Sequence, residues 1–183
     1  IAPTPTLEKA FRGKRTATAN IDAVSSQGNG ALGETHVKIS PGDGNTLLNA
    51  DPFIETDTQA SAKTAKIVAQ DFTGDKLDNK DITYSFRIDG NYVGGPSAGA
   101  AMTLSTIAAI ENRSVPQNIA VTGTIRSKGS IGRVGGILEK AEAAGQNNLE
   151  TFYIPEGQEQ ITYYTQRMDR KVNYPGVYPP QLE

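Results

Sequence analysis

The residues from Ser97 to Glu111, SAGAAMTLSTIAAIE, make the strongest helical stretch in the chain, and Pro96 stands immediately before them. Proline suits the first position of a helix because its ring fixes φ near the helical value and its missing N–H would be unpaired there in any case. The segment Tyr92-Val-Gly-Gly-Pro-Ser-Ala-Gly99 therefore runs from a tight glycine turn straight into a helix start, with Ser97 on the first turn. Whatever the chain folds into has to accommodate that rigid joint.

On the N-terminal side, residues 15–26 (RTATANIDAVSS) are rich in β-branched side chains and partly alternating, Gln27-Gly-Asn-Gly30 supplies a turn, and 34–40 (ETHVKIS) alternates again. The pattern predicts two antiparallel strands, closed by Pro41-Gly-Asp-Gly44. A helix is predicted over 58–72 with Asp57 as its N-cap, and a strand over 82–88. Beyond the central helix follow a buried strand over 119–125, a helix over 136–144 and a short strand over 151–154 stopped by Pro155. Strands followed by alternating strands and helices indicate a mixed α+β or α/β domain.

A chain of 183 residues suits one domain with a sizeable core. Its hydrophobic fraction of 37% comes with no run near the ~20 apolar residues of a membrane-spanning helix. Net charge is -2 with both signs dispersed, which leaves no electrostatic footprint for nucleic acid. Cysteine is absent, so thiol nucleophiles, thiolate metal sites and disulfides are excluded together. Residues 1–14, with Pro3 and Pro5, read as an extended arm, 15–173 as the domain, and 174–183 as a proline-rich tail. A start at Ile1 instead of Met leads us to expect a missing upstream segment: a signal peptide, a membrane anchor or an ATPase module. Localisation stays open, with a membrane-associated or exported site slightly favoured over the cytoplasm.

Backbone N–H groups at a helix start, aided by the helix dipole, stabilise the oxyanion that forms when a carbonyl is attacked. Ser97 is accordingly a candidate nucleophile, with the amides of Gly95, Ser97 and Ala98 as candidate oxyanion donors, although an ordinary capping serine explains this segment equally well. Gly95-Pro-Ser-Ala-Gly99 also matches the G-x-S-x-G nucleophile elbow, whose enzymes place a histidine after the serine. The one histidine, His36, precedes it and lies in a predicted strand. A chymotrypsin-like order with His36 ahead of the serine is formally possible but has no supporting pattern; with His36 set aside and cysteine absent, the usual base for a serine is lysine. Lys140, in Gly135-Gly-Ile-Leu-Glu-Lys-Ala-Glu-Ala-Ala144, has Ile137 and Ala144 on its own helix face, which makes it a candidate for the desolvation a neutral base requires. By itself that segment favours a lysine snorkelling from a helix edge. Thr122, on an apolar strand, could hold the ammonium or simply bond nearby backbone. Gly129-Ser-Ile-Gly-Arg-Val-Gly-Gly136 fits no nucleotide-binding pattern, and the acidic residues show no metal-ligand spacing, so neither cofactor nor metal is expected in this domain.

Three ordered motifs change this weighing. Gly-Pro-Ser-Ala-Gly at 95–99, Val-Thr-Gly at 121–123 and Gly-Gly-Ile-Leu-Glu-Lys at 135–140 resemble the proteolytic domain of the Lon peptidase family, closely over 95–145 and diffusely before that. The resemblance implies an α+β fold, Ser97 as nucleophile, Lys140 as base and later acid, and Thr122 as a partner of Lys140. It also implies a serine endopeptidase acting on unfolded or loosely structured polypeptide, and a homo-oligomer such as a hexameric ring. Two departures stand out: Val93-Gly94-Gly95 where many members carry an acidic residue shortly before the serine, and Thr124 where bacterial forms usually have glutamate. The alternative readings are a catalytically silent assembly module and a viral-type serine–lysine protease that processes its own precursor.

Overall fold

The computed structural model describes residues 13–25, 28–50, 53–88 and 92–160. All but the last two residues of the expected N-terminal arm, and the whole proline-rich tail, lie outside these ranges.

In chain order the elements are strands β1 (Arg15–Val24), β2 (Gly30–Pro41), β3 (Thr46–Ala50) and β4 (Phe53–Ile54), helix α1 (Thr56–Thr73), and strands β5 (Lys80–Ile88) and β6 (Tyr92–Val93). A 3-10 turn over Pro96–Ala98 then leads into helix α2 (Gly99–Glu111). Strands β7 (Ile119–Val121), β8 (Thr124–Ile125) and β9 (Ile131–Gly132), helix α3 (Ile137–Gln146) and strand β10 (Thr151–Tyr153) complete the set. Six strands form one mixed sheet in the order β10-β7-β1-β2-β5-β3, and two short ribbons, β4-β6 and β8-β9, flank it. The fold is α+β. β1 and β2 form the expected antiparallel pair, in register from Arg15 opposite Ile39 to Val24 opposite Gly30.

Alternation along the long strands decides which face is covered. Ala17, Ala19 and Ile21 on β1, Val37 and Ile39 on β2, and Ile82, Tyr84 and Phe86 on β5 are all buried in one cluster. The helices that cover them contribute mostly small side chains, Ala62, Ala65 and Ala69 from α1 and Ala101, Ala108 and Ala109 from α2, so backbone and sheet approach closely. Ten of the thirteen residues of α2 are buried, as expected of a helix that is apolar all round. Its three buried hydroxyls are satisfied within the helix: Thr103 donates to Gly99 O, Ser105 to Ala101 O and Thr106 to Met102 O. Helix α3 lies against β1 and β2, and Gly30 at the start of β2 is what lets it seat. A Cβ at that position would run into the α3 backbone at Glu139.

Strand β3 forms in the stretch expected as a loop after Gly44, several element ends shift by a few residues, and three further differences bear on the site. Helix α1 starts at Thr56, with Glu55 instead of Asp57 at the N-cap. Asp57 sits inside the first turn and accepts the Thr58 N–H at 2.8 Å. Ser97 lies in the 3-10 turn that precedes α2, not in the α-helix itself. The strand expected over 119–125 divides between two sheets, because Gly123 turns its backbone to the serine loop: its N–H donates to Ser97 O at 2.9 Å and its carbonyl accepts from Ala100 N at 2.9 Å. Among the described residues no helix is long and apolar enough to cross a membrane.

The buried Tyr84 hydroxyl lies 2.8 Å from Thr106 Oγ1, which itself donates to Met102 O. Tyr84→Phe removes one hydrogen bond and strands no donor, so a loss of about 1 kcal/mol is expected in urea unfolding. A loss of more than about 3 kcal/mol would mean that the hydroxyl pair holds β5 to α2 in some further way.

Candidate active site

Ser97 is presented by a backbone that is tied at both ends. Gly95 adopts φ 82° and ψ 156°, a conformation open to glycine and strained for other residues. Its N–H donates to Glu55 Oε2 at 2.8 Å, and its carbonyl accepts the Thr58 hydroxyl at 3.1 Å. The start of α1 thus clamps the residue two positions before the serine, and this engages the Glu55 carboxylate away from its own helix end. On the other side, Gly99 N–H closes the 3-10 turn on Pro96 O and Ala100 N–H donates to Gly123 O. Of the three candidate oxyanion amides, Gly95 therefore has its N–H directed at a carboxylate.

Lys140 is buried, only 3% exposed, with Ile137, Ala143 and Ala144 buried on the same helix. Its Nζ donates to Thr122 Oγ1 at 3.2 Å, a bond that joins α3 to the break between β7 and β8. Burial pulls the Lys140 ammonium below the ordinary lysine pKa, and the nearby Asp22 carboxylate opposes that shift. A lysine snorkelling into solvent would be far more exposed, and here the amine is held by Thr122 instead.

Ser97 and Lys140 line one cleft of about 510 Å3, together with Val24, Glu55, Arg133 and Gly136. Among the described residues, the Lys140 amine is hydrogen-bonded to Thr122 and not to Ser97 Oγ. Three elements thus converge: the serine turn before α2, the threonine after β7 and the lysine on α3. His36 is elsewhere. Its Nδ1 lies 2.7 Å from Thr18 Oγ1, and it borders a separate groove of about 680 Å3 with Glu34, Ser85 and Arg87.

Two residues of this region were not singled out in the sequence. Glu55 looks like any acidic residue ahead of a helix until the fold brings Gly95 to it. Asp22 reads as one polar position of an alternating strand, yet it is 4% exposed and neither carboxylate oxygen accepts a hydrogen bond among the described residues. β1 and β7 run parallel with Asn20 beside Ala120, and Asp22 and Thr122 each follow that pair by two residues. Burial raises the Asp22 carboxyl to about 7, and the Lys140 charge partly offsets that rise.

Comparison with known proteins points to one family. Residues 54–172 match the Lon protease C-terminal proteolytic domain. The Lon protease of Desulfatibacillum aliphaticivorans is 34% identical over 101 residues, 55% of this chain and 12% of its own length. The archaeal Lon protease of Methanocaldococcus jannaschii is 33% identical over 124 residues, 64% of this chain and 19% of its own length. The Lon protease of Metamycoplasma arthritidis is 42% identical over 65 residues, 36% of this chain and 8% of its own length. The chain thus corresponds to less than a fifth of each of these relatives, and the matched family segment contains the serine turn, Thr122 and Lys140. This chain belongs to the Lon protease C-terminal proteolytic domain family.

Proposed function

We propose that the domain is a serine endopeptidase that cleaves unfolded or loosely structured polypeptide, with Ser97 as nucleophile and Lys140 as general base. The observation that carries this reading is a lysine withdrawn from water, held by Thr122, on the wall of the cleft that Ser97 also lines. A lysine is useful as a base only in its neutral form, and burial favours that form.

In the proposed cycle the Ser97 Oγ–H proton moves to Lys140 Nζ as Oγ attacks the peptide carbonyl. The tetrahedral oxyanion is bound by the amides of Ser97 and Ala98; Gly95 is left out of that role while its N–H donates to Glu55. Lys140 returns the proton to the leaving amine, and a water activated by the same amine then releases the acyl group. The approach of Oγ to Nζ is completed when substrate fills the cleft, as is common for catalytic hydrogen bonds that are loose in the free enzyme. No cofactor takes part in this cycle. A homo-oligomeric ring, which would sequester the clefts from folded proteins, belongs to the same proposal.

Ser97→Ala and Lys140→Ala are each expected to lower cleavage of casein by about three orders of magnitude or more, with circular dichroism and melting temperature retained. Undiminished turnover by either variant would reject the pair. Thr122→Val removes the acceptor at 3.2 Å and is expected to lower kcat about tenfold with KM little changed. A change in KM alone would place Thr122 in substrate binding instead.

The pH dependence has a definite sign. Burial lowers the lysine pKa, so the neutral, competent amine gains population as pH rises, and kcat/KM is expected to climb from pH 6 towards 9. A profile that is flat across this range would count against a lysine base.

A further inference from the structure

Asp22 is the one buried carboxylate in the described structure that nothing in the packing explains. Placing an acidic group in a strand interior without a hydrogen bond costs free energy that a neutral residue of the same size would avoid. Its neighbours Ile21 and Ala23 hold β1 in place without it, and its strand partner across β2 is Leu32. β1 pairs in parallel with β7 at Asn20 and Ala120, two residues before Asp22 and two before Thr122, the residue whose hydroxyl holds the Lys140 amine, so both lie at the same end of this strand pair.

We infer that Asp22 is a positioning residue of this site: its buried carboxylate faces the Lys140 amine from β1 and favours the amine's uptake of the Ser97 proton. The inference rests on the reading of Ser97 and Lys140 as nucleophile and base. A neutral buried amine is easily produced by desolvation alone, but the same desolvation opposes the ammonium that the amine must become when it accepts the serine proton. A negative charge close by stabilises that ammonium at the moment it forms. Asp22 supplies it from beyond hydrogen-bonding range, so Nζ keeps its bond to Thr122 and remains open towards Ser97.

Above pH 7, where Asp22 is chiefly a carboxylate, the protons balance without Asp22 gaining or losing one. The Oγ–H bond breaks as the Nζ–H bond forms, and the same proton leaves on the departing amine, while the carboxylate remains as it was; below pH 7 Asp22 is protonated and its counter-charge is lost. The attraction is mutual: each charge favours the other's charged form against the effect of burial. The other charged groups around this cleft are Glu55, Arg133 and Glu139, which line it. Glu34 and His36, on the neighbouring strand β2, border the separate groove. Against the effect of burial on Lys140 stands the Asp22 carboxylate.

The test is the titration of Lys140 in the full chain and in Asp22→Asn, followed by 13C NMR of labelled lysine, with the pH profile of kcat/KM for casein measured on the same samples. Asp22→Asn is expected to move the lysine titration and the acid limb of the profile to lower pH by about one unit or more. It is also expected to lower the plateau rate about tenfold, because the ammonium formed in the reaction loses its counter-charge. A residue that only supported the strand would lower the rate without moving either titration, and unchanged titrations would overturn the inference. If Asp22→Asn does not fold, Asp22→Ala is read in the same way. The two proposals fail separately: a lysine titration that shifts in a protein without peptidase activity rejects the peptidase reading alone. Activity dependent on Ser97 and Lys140, with a titration indifferent to Asp22, rejects only the role of Asp22.

Discussion

The site depends on the exclusion of water from one amine. Lys140 is placed where its ordinary protonated state is disfavoured, and the surrounding elements exist in positions that maintain this. Helix α3 contributes Ile137, Ala143 and Ala144 as apolar neighbours, and it can lie against β1 and β2 only because Gly30 leaves room for its backbone. The β7 strand ends in Thr122, which offers the amine a neutral acceptor. A charged acceptor in direct contact would hold the lysine protonated, and no acceptor would leave both N–H donors of the neutral amine unsatisfied. A single hydroxyl at 3.2 Å lies between these extremes.

The nucleophile is held by a different set of constraints, all acting on its backbone turn. Gly123 leaves the sheet to pair with Ser97 and Ala100, and Glu55 and Thr58 fix Gly95 from the start of α1. The serine therefore sits where three segments far apart in sequence meet. One consequence is that the Gly95 amide is engaged by a carboxylate. This confines the proposed oxyanion donors to the two amides that follow and makes Glu55 part of how the turn is shaped.

Much of this was legible in the sequence because local rules were strong where they mattered. Alternation in 34–40 and 82–88 marked strands whose inward residues do form the core, and Pro96 followed by an alanine-rich run marked α2. Lys140 was identifiable from its apolar helix face, although only the ordered motifs raised it above an edge lysine. Other features escaped because they depend on tertiary contacts. The break at Thr122-Gly123 arises from pairing with the serine loop, so an apolar run from Ile119 to Ile125 looked continuous. The capping of α1 was misplaced by two residues because Asp57 has the better capping chemistry, while Glu55 occupies the position and spends its carboxylate on Gly95. Asp22 is the clearest case: its place in the alternation with Asn20 suggests a wet face, and only the packing of α3 over that end of the sheet makes it a buried charge.

The central claim is that the Ser97 hydroxyl is activated by the Lys140 amine, and the most direct measurement is the rate at which a fluorophosphonate probe labels the protein, mapped by mass spectrometry. Labelling confined to Ser97, accelerating with pH and lost on Lys140→Ala, is what the account predicts. A Ser97 that stays unlabelled, or that reacts equally well without the lysine, would contradict it.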